Sequence, residues 1–518
     1  MKSQAADAGG SLIVQQLLKT PLAWQDRTMF ESANGNLSFG AMREGMLRMA
    51  GWLIEGAIGP GCRVAVCLPK GLAAAQAIYG ILASGAAYVP LDVRGDPAQL
   101  ASMLASLRPQ LHLTTPEMAQ KIAEAAGSRQ SEMVRTVAIA PERGALERLL
   151  SGFPAANALP HMGPDDLAAV FFTSGSSEVP KGVMLSHRNI AADVAWIVRF
   201  HAMNESDRRI SQGGLHYISS LDLFYPLLSG SRLFLPDNRN AMFADKIAEL
   251  LDRNKITIWS STTTELRLLL EHGDLGGRDL SALRRVGFYG EKMPMHLLGR
   301  LMTALPHAEF INMYGSTETS EIAHFTVPRP LAAELVSVPL GRPTDICSVS
   351  LRDADGNQVA SGNVGEICVV GPAVTLGYWD DASLTEAKRV AGQPDSFRTG
   401  DLGMIGEDHL LHLVGRTDQV IKLRGRRIDL GEVEAVLKSH PMVRDAVVFL
   451  APASPDSEAI EAIVLAETTR ALAAELHVLC LRRLPRLAQP TRIRALPEFP
   501  LLPSGKVDRR QLQASARE

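Results

Sequence analysis

Cysteine is scarce and scattered in this sequence. The five cysteines form no Cys-x-x-Cys pair and have no nearby histidine at a metal-ligand spacing. The sequence therefore predicts neither a structural zinc site nor a disulfide framework. Such cysteine usage fits a reducing cytoplasm, and the first ten residues lack the apolar core of a signal peptide.

An excess of charge of one sign is also missing. The 53 Lys and Arg residues nearly balance the 56 Asp and Glu residues, which leaves a formal net charge of -3. No long run of one sign occurs, so the basic footprint expected of a nucleic-acid binder is absent. We expect any bound nucleotide to be a small molecule.

One uncharged stretch has the length of a membrane span. Residues 71–91 carry no charge, but they are rich in Ala and Gly and contain Gln76 and Ser84. The stretch ends in Ala-Tyr-Val-Pro-Leu, which is typical of a strand. We predict a buried helix followed by a strand, and no membrane association.

The remaining composition indicates a large α/β enzyme. With 46% hydrophobic residues, the chain can bury several cores, which favours about three domains or one multi-lobed body. Strand-like and helix-like segments alternate from residue 62 to residue 313, as in parallel α/β units. After residue 340, short strands separated by Gly, Asp and Asn turns predict a β-rich subdomain.

A compact final unit is predicted to begin at Asp418. The expected organisation is an N-terminal multi-lobed α/β body over residues 1–417, which includes the β-rich subdomain. A small, mobile α+β C-terminal domain would then cover residues 418–518. No internal repeat or low-complexity linker is visible.

A loop of small residues at 173–182 is the most informative segment. It reads Thr-Ser-Gly-Ser-Ser-Glu-Val-Pro-Lys-Gly and follows the apolar residues 167–172, which are predicted to form a buried strand. Backbone N–H groups and hydroxyls of such a loop can converge on phosphate oxygens, and Lys181 would add positive charge. The loop lacks the Gly-Lys-Ser/Thr ending of a Walker A motif, which excludes an ordinary kinase or ATPase loop. Taken alone, the segment can also be a Ser/Gly surface turn.

A second segment, Asn-Met-Tyr-Gly-Ser-Thr-Glu at 312–318, follows an apolar strand. Open α/β sheets bind their ligands at this end of a strand. Tyr314 can stack on a purine and Thr317 can bond a phosphate. Glu318 can hold Mg²⁺, which prefers carboxylate and phosphate oxygens. The alternative is a strand-to-turn transition with an incidental acid.

Three more segments lie downstream. In Phe-Arg-Thr-Gly-Asp at 397–401, the carboxylate of Asp401 can accept both ribose hydroxyls. The basic segment 415–434 crosses into the final unit, and residues 502–509 form a turn that presents Lys506. Each segment alone has an ordinary interpretation, as a turn, a solvated strand or a frayed tail.

Together, the order and spacing of the five segments resemble the adenylate-forming superfamily. This superfamily includes acyl-CoA synthetases, luciferase-like enzymes and adenylation domains of nonribosomal peptide synthetases, and the resemblance covers nearly the whole chain. Residues 87–92 and 424–434 are most similar to the peptide-synthetase branch, in particular to its stand-alone enzymes. Members activate a carboxylate by attack on the α-phosphate of ATP, release pyrophosphate, and pass the acyl group from acyl-AMP to a thiol.

The resemblance implies roles for individual residues. Lys506 matches the lysine that bridges the substrate carboxylate and the phosphate, and Glu318 matches the Mg²⁺ ligand. Asp401 and Arg416 match the ribose contacts. Asp418 matches the hinge about which the C-terminal domain rotates between the two half-reactions. The expected ATP-binding residues are Thr173, Ser174, Gly175, Ser176, Ser177, Lys181, Gly290, Glu291, Asn312, Met313, Tyr314, Gly315, Ser316, Thr317, Asp401 and Arg416.

The same resemblance implies a substrate pocket. His216 falls where the family places an aromatic gate and is also expected to be catalytic. Tyr217 takes the position at which members that activate α-amino acids keep an aspartate for the ammonium, so that anchor is absent. Glu321 needs a partner inside a mostly uncharged pocket, and either a substrate group or a protein group can supply it. The other expected pocket residues are Leu221, Ser260, Gly287, Tyr289, Met313 and Ile322.

One residue departs from the family pattern. Glu178 stands where the family usually has glycine, and it adds a negative charge to the phosphate loop. We expect Glu178 either to point to solvent or to modify loop closure and slow turnover.

The sequence therefore predicts a ligase that uses ATP and Mg²⁺ to load a carboxylic acid onto the phosphopantetheine thiol of a separate carrier protein. The acid is expected to be an amino acid or an unusual amino-acid analogue. An acyl-CoA synthetase that uses free CoA is the first alternative. A weakened adenylate-binding regulatory protein, suggested only by Glu178, is the second.

Overall fold

The computed structural model describes residues 13–127, 134–142, 144–173, 180–237, 243–332, 335–423, 426–454, 457–467, 472–502 and 507–515. The chain divides into two compact units. The first comprises Met1–Ser350, Cys368–Thr399 and Glu407–Leu411, and the second comprises Leu351–Ile367, Gly400–Gly406 and His412–Glu518. The domain boundary at residues 417 and 418 stays a prediction.

Helices and strands alternate through most of the first unit, and further helices and strands form the second unit. The helices are α1 Gln15–Leu18, α2 Phe39–Glu55, α3 Leu72–Ala83, α4 Pro97–Leu107, α5 Pro116–Ala126, α6 Ala145–Leu150, α7 His187–Phe200, α8 Tyr225–Ser229, α9 Ala244–Arg253, α10 Thr263–His272, α11 Met295–Ala304, α12 Ala382–Ala387, α13 Leu430–Lys438, α14 Leu472–Arg483 and α15 Arg509–Ser515. Short 3₁₀ turns cover Leu22–Trp24, Ile218–Phe224, Leu275–Gly277, Thr417–Gln419 and Arg486–Ala488.

The strands are β1 Thr28–Ser32, β2 Gly35–Ser38, β3 Arg63–Cys67, β4 Ala87–Pro90, β5 Leu111–Thr114, β6 Thr136–Ala138, β7 Leu167–Thr173, β8 Lys181–Ser186, β9 Arg208–Ile210, β10 Arg232–Leu235, β11 Ile258–Thr262, β12 Arg285–Tyr289, β13 Glu309–Ser316, β14 Ser320–Thr326, β15 Arg342–Pro343, β16 Ser348–Arg352, β17 Gly365–Val370, β18 Gly377–Tyr378, β19 Ser396–Ile405, β20 Leu411–Arg416, β21 Val420–Leu423, β22 Arg426–Asp429, β23 Asp445–Ser454, β24 Ser457–Leu465 and β25 Arg492–Leu496.

A nine-stranded sheet forms the part of the first unit that carries the candidate site. Its order is β15-β14-β13-β12-β11-β9-β10-β1-β2, and the strands from β13 to β1 in this order are parallel. Helices α9, α10 and α11 pack on the sheet through a core that includes Trp259, Phe288 and Leu298, all fully buried. Both faces of a parallel sheet are covered, so its strands are almost continuously apolar.

The uncharged stretch 71–91 folds into α3 and β4, as predicted. From Ala74 to Ala83 every residue of α3 is buried, and β4 lies inside a seven-stranded sheet of order β18-β8-β7-β4-β3-β5-β6. Within the described ranges, no helix is long and apolar enough to cross a bilayer.

The later part of the chain is rich in β structure, as the turn pattern predicts. Strands β16, β17, β19 and β20 form a four-stranded sheet, and β21 pairs with β22. In the second unit, α13 and α14 pack on the sheet β23-β24-β25 around Val433, Leu437 and Leu476. The predicted fold class, a large α/β body and a smaller C-terminal domain, is confirmed.

A buried histidine gives this fold a testable pH dependence. His112 of β5 is 1% exposed, its Nε2 has no partner among the described residues, and burial lowers its pKa to about 4. In the unfolded chain the same imidazole has a pKa of about 6.5. The folded protein therefore loses stability as the pH falls from about 6.5 towards 4. Between pH 7 and pH 5 this histidine should remove about 2 kcal/mol from the free energy of unfolding.

The His112→Leu variant should therefore lose about 2 kcal/mol less stability than the parent chain over this pH interval. Urea titrations at pH 7 and pH 5 measure the difference. The exposed His161 offers the matched control, His161→Leu, which should behave like the parent. An equal pH dependence in the His112→Leu and control variants would contradict the assignment.

Candidate active site

A cavity of about 40 Å³ lies in the first unit, at the carboxyl ends of the parallel strands β9, β11, β12 and β13. This is the edge of an open α/β sheet at which ligands bind. The residues that line it are Ile197, Arg209, Ile210, Gln212, Gly213, Ser219, Asp222, Tyr225, Ser260, Tyr289, Met313 and Glu321.

Four of the residues predicted for the substrate pocket line this cavity: Ser260, Tyr289, Met313 and Glu321. Gly287 lies beside it and keeps it open. A Cβ at position 287 would lie 2.6 Å from Ser260 Oγ and 3.1 Å from Met313 Sδ. A side chain here would therefore displace two lining residues.

The other predicted pocket residues, His216, Tyr217, Leu221 and Ile322, are not among the described residues that line the cavity. His216 Nε2 lies 3.8 Å from Asp92 Oδ2, and its ring lies 4.0 Å from that of Tyr217 between centroids. Burial lowers the pKa of His216, and Asp92 opposes this shift. Leu221 and Ile322 are fully buried. Their roles in substrate binding stay predictions.

The pocket is more charged than the sequence suggests, because Arg209 and Asp222 also line it. Arg209 is 6% exposed, and its Nη2 lies 3.5 Å from Ser260 Oγ. Its guanidinium carbon lies 5.0 Å from the ring centroid of Tyr225. Its Nε and Nη1 have no hydrogen-bond partner in the described part of the chain. The pocket thus holds two charged residues besides Glu321, and the other nine residues that line it are uncharged.

Asp222 is balanced by Lys70. Asp222 Oδ1 accepts a hydrogen bond of 2.9 Å from Ser211 Oγ, and Lys70 Nζ donates to the carbonyl oxygens of Ser211 and Gly213. Burial raises the pKa of Asp222 to about 6, opposed by Lys70 and Arg209. Burial also lowers the pKa of Lys70 to about 8, opposed by Asp222. Each of the two buried groups therefore favours the charged form of the other.

Glu321 has a protein partner and also faces the cavity. Its carboxyl group is hydrogen-bonded to that of Asp193, which is 3% exposed on α7. Burial and the adjacent Glu321 raise the pKa of Asp193 well above its usual range, which favours the protonated form of Asp193. The sequence allows two kinds of partner for Glu321, a substrate group or a protein group. The structure shows a protein group, the carboxyl group of Asp193.

The predicted magnesium ligand lies in the turn between β13 and β14. Glu318 is half-buried, and its Oε1 accepts a hydrogen bond of 2.9 Å from the Tyr378 hydroxyl. Ser316 Oγ lies 3.1 Å from Thr319 Oγ1 in the same turn. The ends of the strands meet closely at Gly315, where a Cβ would lie 1.9 Å from the Ser320 carbonyl oxygen. Only glycine fits there without moving the backbone.

Other predicted nucleotide contacts lie within this hairpin and just after β12. Asn312 is buried and donates a hydrogen bond of 2.8 Å to the Pro339 carbonyl, while Tyr314 and Thr317 are half-buried. After β12, Gly290 takes a left-handed conformation with φ of 84°. Glu291 Oε2 accepts a hydrogen bond of 2.8 Å from Thr264 Oγ1.

The phosphate loop is described only at its two ends. Thr173 and Lys181 are paired opposite each other on the antiparallel strands β7 and β8. Residues 174–179, which include Ser174, Gly175, Ser176, Ser177 and Glu178, lie outside the described residues. The predictions for this loop therefore stay predictions.

In the second unit, the two predicted ribose contacts are joined. Arg416 Nη1 donates a hydrogen bond of 2.6 Å to Asp401 Oδ1. Lys506 and the side chain of Asp418 lie outside the described residues. Their roles stay predictions.

The donor set around Glu318 suits Mg²⁺ rather than a transition metal. Across the described ranges, no group of three or more His, Cys, Asp or Glu residues could hold a metal. Mg²⁺ is usually held by one or two carboxylates together with substrate phosphates. Glu318 is a single carboxylate in a turn, which fits that pattern.

Two regions of the chain match known protein families. Residues 19–379 match the AMP-binding enzyme family, and residues 432–506 match the AMP-binding enzyme C-terminal domain. Together the two matches cover most of the chain and follow one another in sequence.

The chain also resembles individual curated proteins. It is 31% identical over 499 residues to an L-proline--[L-prolyl-carrier protein] ligase of Streptomyces coelicolor, covering 93% of this chain and 92% of that protein. A protein of the same name from Pseudomonas fluorescens is 28% identical and is covered over 98% of its length. Pyochelin synthetase PchF of Pseudomonas aeruginosa is 33% identical over 445 residues, but the match spans 85% of this chain and only 24% of that synthetase.

Solved structures share the fold. The ATP-bound structure of MatB from Rhodopseudomonas palustris is 22% identical, with a TM-score of 0.87 over 98% of this chain and 99% of that one. The amide bond synthetase McbA from Marinactinospora thermotolerans is 25% identical, with a TM-score of 0.82 over 97% of this chain and 99% of that one. These similarities extend over nearly the full length of each chain.

Proposed function

The chain belongs to the AMP-binding enzyme family, and from this premise we propose that it is an AMP-forming ligase. It uses ATP to convert a small carboxylic acid into an acyl-AMP, releases pyrophosphate, and transfers the acyl group to a thiol. One observation carries the proposal. The β13–β14 hairpin places the cavity residues Met313 and Glu321 on the two strands whose connecting turn holds Glu318.

Catalysis in such a reaction depends on fixed positive charge, since an anionic carboxylate attacks an anionic phosphate. Glu318 would hold Mg²⁺, which would neutralise charge at the phosphates. Lys181 and Lys506 add protein cations, and Asp401 holds the ribose. Asp418 is the hinge about which the C-terminal domain rotates between the two half-reactions. This rotation withdraws Lys506 and presents the thiol-binding face of the domain instead.

The acceptor we propose is the phosphopantetheine thiol of a separate carrier protein. Relatives whose names specify a prolyl-carrier protein are matched over nearly their whole length, which supports this choice. Position 217 is a tyrosine and not the aspartate that would hold an α-ammonium group. This supports an acid that differs from those relatives' substrate in its amino group. We propose an amino-acid analogue or a related small acid that lacks an α-ammonium group held at this position.

An acceptor competition tests this assignment. The enzyme is given ATP, Mg²⁺ and an acid that it activates, together with a panel of phosphopantetheinylated carrier proteins, free CoA, or both. We expect a covalent acyl-carrier product by intact-protein mass spectrometry, and acyl-CoA at less than about a tenth of that rate. A charge-matched carrier that lacks the phosphopantetheine arm is the control. Acyl-CoA formed at full rate without any carrier would make the enzyme an acyl-CoA synthetase.

A further inference from the structure

The predicted magnesium ligand Glu318 is held by a short segment that is distant from it in sequence. The Tyr378 hydroxyl, 60 residues further along the chain, donates a hydrogen bond of 2.9 Å to Glu318 Oε1. The backbone N–H of Thr375 donates one of 2.8 Å to the Glu318 carbonyl oxygen. Residues 375–379, which we call the strap, therefore bind both the side chain and the main chain of Glu318.

The strap is also bonded to the strand that follows the phosphate loop. Strand β18, which lies within the strap, pairs antiparallel with β8. The backbone N–H of Trp379 donates a hydrogen bond of 2.7 Å to the Gly182 carbonyl, and Thr375 Oγ1 donates one of 2.6 Å to the Met184 carbonyl. Strand β8 begins at Lys181, the lysine predicted to bind phosphate. The strap thus ties Glu318 to that strand.

The contacts of Glu318 leave its carboxylate ready for a cation. Oε1 is occupied by a hydroxyl donor, which, unlike a lysine or an arginine, does not neutralise the carboxylate. Glu318 forms no ion pair with another described residue, and its Oε2 accepts no hydrogen bond from one. Tyr378 itself is buried, and its ring centroid lies 6.5 Å from that of Phe397. The donor is therefore held in place by packing.

We propose that Tyr378 is a positioning residue for Mg²⁺ binding at Glu318. Its hydroxyl fixes Oε1 and leaves Oε2 as the oxygen for the metal. The strap keeps this carboxylate in register with the strand that follows the phosphate loop. Hydrogen bonds to a ligating carboxylate orient it in this way, and their loss typically weakens metal binding about 10- to 100-fold. This inference rests on the proposed adenylation activity and adds the residues that assemble its metal site.

Nucleotide binding tests this role without turnover. In α,β-methylene-ATP a CH₂ group replaces the oxygen that would leave with pyrophosphate, so the analogue binds without reacting. Isothermal titration calorimetry gives its Kd in excess Mg²⁺ and in EDTA, and the ratio of the two values measures the coupling between metal and nucleotide. Tyr378→Phe keeps the ring and loses the hydroxyl. We expect it to lower this ratio about tenfold or more, towards that of Glu318→Gln, with the Kd in EDTA unchanged.

A second tyrosine of the same unit supplies the matched control. The Tyr79 hydroxyl is buried and donates a hydrogen bond of 2.8 Å to the Leu223 carbonyl, so Tyr79→Phe removes a comparable bond outside the strap. This variant should keep the parent ratio.

The strap is tested by a variant of its own. Thr375→Val removes the hydroxyl that bonds the Met184 carbonyl and should also lower the ratio, whereas Thr375→Ser keeps a hydroxyl and should not. Thermal unfolding reports whether each variant folds. The two Thr375 variants decide the question if Tyr378→Phe does not fold.

The outcomes separate this inference from the proposed function. A parent ratio in Tyr378→Phe would overturn the inference, and so would an equal weakening of both Kd values, which indicates a structural role only. A parent enzyme whose Kd does not depend on Mg²⁺ would overturn it as well. In each case acid-dependent pyrophosphate release by the parent would leave the adenylation activity standing. Release with no acid of a broad panel would contradict the proposed function itself.

Discussion

Replacing Lys506 with alanine is expected to lower acid-dependent pyrophosphate release about 1,000-fold. The lysine is proposed to bridge the attacking carboxylate and the α-phosphate, so its charge acts where two anions approach each other. Loss of one such preorganised donor typically costs 100- to 1,000-fold in rate. The loss should appear mainly in kcat, because ATP keeps its other contacts.

The thiolation half-reaction provides the internal control for this variant. Given preformed acyl-AMP, Lys506→Ala should still acylate the carrier protein at close to the parent rate, because the lysine is proposed to leave the site before that step. Lys246→Ala removes an exposed lysine that pairs with Glu249 on α9, and it should change neither step. Unchanged adenylation in Lys506→Ala would show that this lysine is not the bridging group.

Replacing Gly315 with alanine should lower adenylation about 100-fold while most of the fold remains. The new Cβ would lie 1.9 Å from the Ser320 carbonyl oxygen, so the two strands of the hairpin must separate. The turn that they hold carries Glu318, and Met313 and Glu321 lie on the strands themselves. A displacement of about 1 Å in such a positioning element can cost about 100-fold in rate.

Gly299 supplies the matched control, because it lies within α11 and a Cβ there meets no atom within 4 Å. Gly299→Ala should leave activity unchanged and raise the free energy of unfolding by about 0.5–1 kcal/mol, since alanine favours a helix interior. Steady-state adenylation kinetics and urea unfolding of both variants make the comparison. Full activity in Gly315→Ala would mean that the hairpin geometry does not position the site.

The fold could be predicted from the sequence wherever the signal was local. The alanine-rich start of the stretch 71–91 folds into α3, and its Ala-Tyr-Val-Pro end folds into β4. The strand expected at residues 309–313 continues to Ser316, because the antiparallel partner β14 extends its hydrogen bonding. That pairing joins residues separated by a turn whose own sequence also carries predicted ligand-binding groups, so local patterning underestimated the length of the strand.

The candidate site was predicted only in part, and for a physical reason. Ser260, Tyr289 and Met313 lie at the carboxyl edge of the parallel sheet, where a family resemblance can be carried across position by position. Arg209 was missed because an arginine beside another arginine in a short strand indicates a solvated face. In this sheet the side chain is buried against Tyr225 instead. Asp193 was missed because its neighbour Glu321 is distant in sequence.

The most direct test of the central claim is acid-dependent exchange of labelled pyrophosphate into ATP. The assay contains the full chain, Mg²⁺, ATP and one acid at a time from a panel of hydroxy, β-amino, aryl and short aliphatic acids. The account predicts that at least one acid raises exchange well above the acid-free rate and that AMP is the nucleotide released on thiolation. Exchange that no acid stimulates, or formation of ADP in place of AMP, would contradict it.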